Sequence, residues 1–142
     1  MNLAVVRRMI CAYGPAGAVP ASVRVVRAAS PPASDAYRVR VRIRDEEFEG
    51  AGVDAFWALY AAREQFEPLG WLLGVQGCSR VTRISGMLGE AGEGMRMYRP
   101  EPCGDGSLPP LVDTFAPAPR DELVSADEQL ALWRSGARGF RG

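Results

Sequence analysis

The sequence predicts an α+β fold: a mainly antiparallel sheet with two helices packed on one face. Three observations carry this prediction. Tyr37, Val39, Val41 and Ile43 alternate with Arg38, Arg40, Arg42 and Arg44, the period of two that marks a half-buried strand. Phe56, Leu59, Tyr60, Arg63 and Phe66 recur at the spacing of one helical face. Ser125 stands three residues before Glu128 and just ahead of Leu130 and Trp133, the arrangement of a capping box opening a helix. Strand runs joined by tight turns favour antiparallel neighbours with the helices segregated from them.

The elements follow in order. Residues 1–20 read as peripheral or linker-like: Leu3 to Cys11 fits either a short strand or a helix, and Ala12 to Pro20 is rich in Gly, Pro and Ala. Val23, Val25 and Val26 suggest a first strand, and Pro31-Pro32 places a loop before Tyr37. The Arg-rich strand turns back near Arg44–Glu46 into Glu47-Phe48-Glu49-Gly50. Two registers are open for this hairpin. A turn at Arg44-Asp45 sets Arg42 against Glu47, Arg40 against Glu49 and Val41 against Phe48. A turn at Asp45-Glu46 sets Arg44 against Glu47, Arg42 against Glu49 and Ile43 against Phe48. A helix is expected from about Asp54, its N-cap, to Glu67, stopped by Pro68 and Gly70. Trp71 to Gln76 reads as a strand hairpinned through Gly77-Cys78 to Arg80–Ile84. Met95–Arg99 and Leu111–Phe115 read as further strands, and the closing helix runs from Ser125 to about Ser135. No repeat or internal boundary divides the 142 residues, a length usual for one domain.

Composition removes several chemistries. Acidic and basic residues balance at 17 each, so no global pull towards nucleic acid or an anionic membrane is expected. All 17 basic residues are arginine, and there is no histidine. The chain therefore lacks the side chain best suited to proton transfer near neutral pH, and the usual base for a Ser or Cys nucleophile. Cys11, Cys78 and Cys103 are widely spaced and odd in number, neither a disulfide framework nor a metal knuckle. They read as free thiols in a cytoplasmic protein. No apolar run is long enough for a membrane helix, and no metal or cofactor motif stands out.

Each candidate site has a plain structural reading beside the functional one. The arginines of residues 38–44 lie about 7 Å apart along one strand face. They can follow a polyanion, but either hairpin register also pairs them with Glu47 and Glu49, which favours a solvated, charge-paired face. Gly86, Gly89, Gly92 and Gly94 form a glycine-rich loop, but a strand rather than a helix follows it, so a phosphate cradle is not expected. Cys78 and Ser85 have no histidine partner; Arg80 or Arg83 could lower the Cys78 pKa, but the position reads as an ordinary turn cysteine. Trp57 lies off the apolar stripe of the first helix and is expected to pack at an edge or meet a partner.

Taken together, Glu47-Phe48-Glu49-Gly50, Gly70-Trp71, Ser85-Gly86-Met87 with glycines before Tyr98, Val112-Asp113-Thr114-Phe115 and Glu128-Gln129 with Trp133 form a pattern over about residues 37–135. It resembles short bacterial proteins of the kind similar to the immunity proteins encoded beside secreted toxins. The resemblance implies a non-enzymatic protein that binds a toxin directly, with no cofactor and with neither nucleic acid nor membrane as partner. It implies Arg80, Ser85, Gly86, Met87, Arg96 and Tyr98 as binding residues. A different class also fits the sequence: a small enzyme or metabolite-binding domain in which Arg80, Arg83 and Arg96 hold an anion and Cys78 or an acid acts.

Overall fold

The computed structural model describes residues 2–28, 35–84, 93–100 and 110–135. Four strands, β1 (Asn2–Gly14), β2 (Gly17–Ala28), β3 (Tyr37–Ile43) and β4 (Glu46–Gly52), run as consecutive antiparallel neighbours. After helix α1 (Ala55–Phe66), the short β5 (Leu72–Leu73) joins the far edge, giving the order β4-β3-β2-β1-β5. A separate two-stranded ladder pairs β6 (Arg96–Tyr98) with β7 (Leu111–Asp113), and helix α2 (Ala126–Ser135) closes the chain. The fold is the expected α+β arrangement.

Residues 1–20 correct the sequence reading. They are not peripheral: with the rest of β2 they make the longest hairpin of the sheet, turning at Pro15-Ala16. Pro20 is tolerated inside β2 for a local reason. The Cys11 carbonyl accepts from Gly74 N at 2.8 Å on the outer side of β1, so Cys11 and its β2 partner Pro20 do not bond each other. Groups alternate sides along a strand. The Pro20 nitrogen therefore points towards β3, whose pairing with β2 ends one residue short, at Ala21–Ile43. Its missing N–H costs no ladder bond.

The core lies between one sheet face and α1. Val23, Val25, Val39, Val41 and Ile43 are buried below; Ala58, Leu59, Ala62 and Phe66 are buried above. Phe48 meets Phe66 edge-on at 5.7 Å. Gly50 and Gly52 of β4 let the helix approach. A Cβ on Gly50 would stand 2.3 Å from the Ala58 carbonyl oxygen, and one on Gly52 2.5 Å from the Ala58 nitrogen. Asp54 caps α1, its Oδ1 accepting from Trp57 N at 2.9 Å. The β3–β4 turn takes the first register: Arg42 faces Glu47, Arg40 faces Glu49 and Val41 faces Phe48.

Helix α2 packs on α1 along the flank that carries Phe56, Arg63 and Glu67. Trp133 stacks on Phe56 at 5.3 Å, and the capping box forms, with Glu128 N donating to Ser125 Oγ at 3.1 Å. The hairpin expected between Trp71–Gln76 and Arg80–Ile84 does not form. A 3₁₀ turn at Gln76–Cys78 bends the chain instead, and Val75, Ser79 and Arg83 bridge to Pro117, Leu123 and Tyr98. Among the described residues no helix is long and apolar enough to cross a membrane.

Candidate functional site

The face of the sheet opposite α1 carries rows of side chains set by register. Directly opposite residues share a face in antiparallel pairs. One row therefore runs Arg7, Arg24, Arg40, Glu49 across β1 to β4; the next runs Met9, Ser22, Arg42, Glu47. Three arginines thus stand side by side on adjacent strands, about 5 Å apart, in an arrangement where like charges repel. Arg7 and Arg24 occupy a non-hydrogen-bonded pair, the closer of the two antiparallel spacings, by the same alternation that fixes Pro20.

Carboxylates compensate only one end of the row. Glu49 accepts from Arg40 Nη2 at 2.9 Å and from Arg38 Nη1 at 3.1 Å. The Arg40 hydrogen bond, with a weaker one from Arg38, holds the Glu49 carboxyl below its ordinary range against the opposing effect of burial. Arg38 also reaches Asp35 at 3.3 Å. These contacts bear out the charge-paired reading for Arg38 and Arg40. Arg42 donates only to the Arg44 carbonyl, at 3.3 Å. Among the described residues Arg7 and Arg24 have no carboxylate partner, and the Nε of Arg24 is shielded from solvent without a hydrogen-bond partner. Together with Met9, Ser22 and Glu47, these arginines line an open groove of about 510 Å³.

Of the residues singled out by the resemblance, Arg80, Arg96 and Tyr98 lie elsewhere. Arg80 is exposed and its backbone N–H donates to the Glu122 carbonyl at 2.8 Å. Arg96 is exposed on β6 opposite Asp113, and Tyr98, half-buried, exchanges two backbone bonds with Arg83. Ser85, Gly86 and Met87 lie outside the described residues. Cys78 is fully buried, and burial pushes its thiol up to about 12, so it stays protonated and out of reach of a substrate.

Two polar knots fasten the second half of the chain. Arg63, fully buried, donates to Glu67 Oε2 at 2.6 Å, the Val124 carbonyl at 2.8 Å, the Gly77 carbonyl and Gln129 Oε1. Gln129 Nε2 donates to the Gly77 and Ser79 carbonyls, and Glu67 Oε1 accepts from Ala126 N at 2.7 Å, tying α2 to α1. Arg99 donates to Glu122 and to Gln76 Oε1, while Glu122 also accepts from Ser79 Oγ at 2.9 Å. Several residues of the sequence pattern therefore serve as joints: Gly50 against α1, Gln129 in the Arg63 knot, and Thr114, whose Oγ1 donates to the Gly94 carbonyl at 2.7 Å.

Fold and site together define an α+β domain with one helix-covered sheet face and one open, arginine-lined face. No protein-family model matches the chain, and no curated protein matches it significantly.

Proposed function

We propose that this is a non-catalytic binding protein that docks an acidic surface of a partner protein on the open face of its sheet. One observation carries the reading: Arg7, Arg24 and Arg40 are directly opposite across three strands, and among the described residues two of them meet no carboxylate. Placing like charges opposite each other costs stability, and an anionic partner would offset that cost. Arginines beside exposed Met9 also suit an interface, where Arg and Met are enriched. The resemblance adds the class of partner. An immunity-type protein blocks a cognate toxin, encoded nearby, by covering it, and this needs a complementary surface without chemistry.

The test is co-expression with the product of the adjacent gene. A complex that forms with the wild type and is lost with Arg7→Gln/Arg24→Gln supports the reading. A complex indifferent to both substitutions places the interface elsewhere, and an adjacent product that is neither toxic nor bound removes the immunity role.

A further inference from the structure

Among the described residues, most of the outer edge of strand β1, beside the arginine row, is unpaired. It is thirteen residues long, yet β5 pairs only with Ala12 and Tyr13. One more bond, from Gly74 N to the Cys11 carbonyl at 2.8 Å, extends that pairing. Because a residue's N–H and C=O point to the same side and alternate along a strand, Met9 and Arg7 also direct theirs outward. Among the described residues nothing bonds these four groups. A bulge between Ala4 and Val6 ends the regular ladder just beyond them. An exposed edge of this kind is a template for an added strand.

Side chains define what would fit. Arg7 and Met9 both project onto the open face, in register with Arg24 and Ser22. Met9 is 75% exposed, the highest value among the large apolar residues described. Arg8, between them, faces the other side and is already paired with Asp113 at 2.8 Å. A strand added here sets one residue against Arg7, one against Met9, and none that must satisfy Arg8.

We infer that the edge of β1 from Arg7 to Met9 takes an extended, acidic segment of a partner protein by antiparallel strand addition. The segment reads apolar, any residue, acidic: the apolar side chain lies beside Met9 and the acidic one beside Arg7, with Arg24 one strand further in. Antiparallel addition follows the direction of every other pairing in this sheet. The inference rests on the open face being an acidic-partner site and specifies how the partner is held.

The test uses the full chain and a short synthetic peptide with Val-Thr-Glu at its centre. A second peptide carries N-methyl groups on the Val and the Glu, which keeps the side chains but removes both ladder donors. The expected result is amide-exchange protection at Arg7 and Met9 with the first peptide, and affinity about tenfold weaker for the second. Met9→Pro, which removes an N–H with no internal partner, should weaken binding similarly while leaving the melting temperature near that of the wild type. Equal affinity for both peptides, with loss of binding in Arg7→Gln/Arg24→Gln, overturns strand addition but leaves the acidic-partner reading standing. Binding that neither change affects overturns both. No binding of the first peptide overturns the apolar-any-acidic segment, and salt-dependent binding of poly-glutamate, or its absence, then decides the broader reading.

Discussion

Arg7 and Arg24 face each other directly across the β1–β2 ladder, and neither meets a carboxylate among the described residues. Arg40, on the other side of Arg24, is held by Glu49. The row is therefore balanced at one end and uncompensated at the other. The core lies on the opposite face of this sheet, so the row stands on the face that the core does not use.

Arg24→Glu should therefore stabilise the protein while removing the site. The new carboxylate would lie between Arg7 and Arg40, and opposite-charge cross-strand pairs contribute roughly 0.2–1 kcal/mol each. Urea denaturation should show a higher midpoint with an unchanged slope. A lower midpoint would mean that Arg24 supports the fold in some other way.

Gly50→Ala should destabilise strongly. Its Cβ would press on the α1 backbone at Ala58 and Ala62, each 2.3 Å away, where no flexible side-chain end can yield. Forcing extra volume into a packed interface costs typically about 1–3 kcal/mol, and contact with backbone belongs at the upper end. The same denaturation measurement checks it.

Arg63→Leu should cost about 3–5 kcal/mol, the range for removing one partner of a buried ion pair. It strands Glu67 and leaves the Gly77 and Val124 carbonyls and Gln129 Oε1 without their shared donor. Because Glu67 and Gln129 join α2 to α1, thermal unfolding should lose the Trp133 fluorescence change early. A single transition with the wild-type midpoint would contradict this role.

Much of the fold was legible because its signals are local. The alternation of residues 37–44, the Asp54 cap and the Ser125–Glu128 box each depend on neighbours a few positions away, and each formed as read. Arg63 was read on the apolar face of α1 and is buried there, although only the structure shows what satisfies it. Residues 1–20 misled because Gly14, Pro15, Gly17 and Pro20 look like linker, whereas they make a turn and a ladder position that needs no N–H. Residues 71–84 misled because their partners, Pro117, Leu123 and Tyr98, are distant in sequence and form single bridges. The candidate site was out of view for the same reason. Arg38 and Arg40 were visible with their glutamates, but the uncompensated part of the row exists only once β1 lies beside β2.

The stabilisation supplied by Glu49, Glu93 and Glu122 should fall as the pH drops below the ordinary glutamate value of 4.5. Hydrogen bonding from Arg99 holds the Glu122 carboxyl below that value, and Arg40 and Tyr37 act likewise on Glu49 and Glu93. A folded-state value lower than the unfolded one gives stabilisation that is present above the unfolded value and lost as pH falls through the folded one. Glu122→Gln should flatten this acid limb in melts recorded across pH. An unchanged limb would assign the loss to other carboxylates.

The most direct test of the acidic-partner site is the affinity of the full chain for poly-glutamate at several salt concentrations, compared with Arg7→Glu/Arg24→Glu and, as a control, Arg80→Glu/Arg96→Glu. The account predicts wild-type binding that weakens as salt rises, loss of binding in the first variant and near-wild-type binding in the second. Equal binding by wild type and Arg7→Glu/Arg24→Glu, or loss only in the Arg80/Arg96 variant, would contradict it.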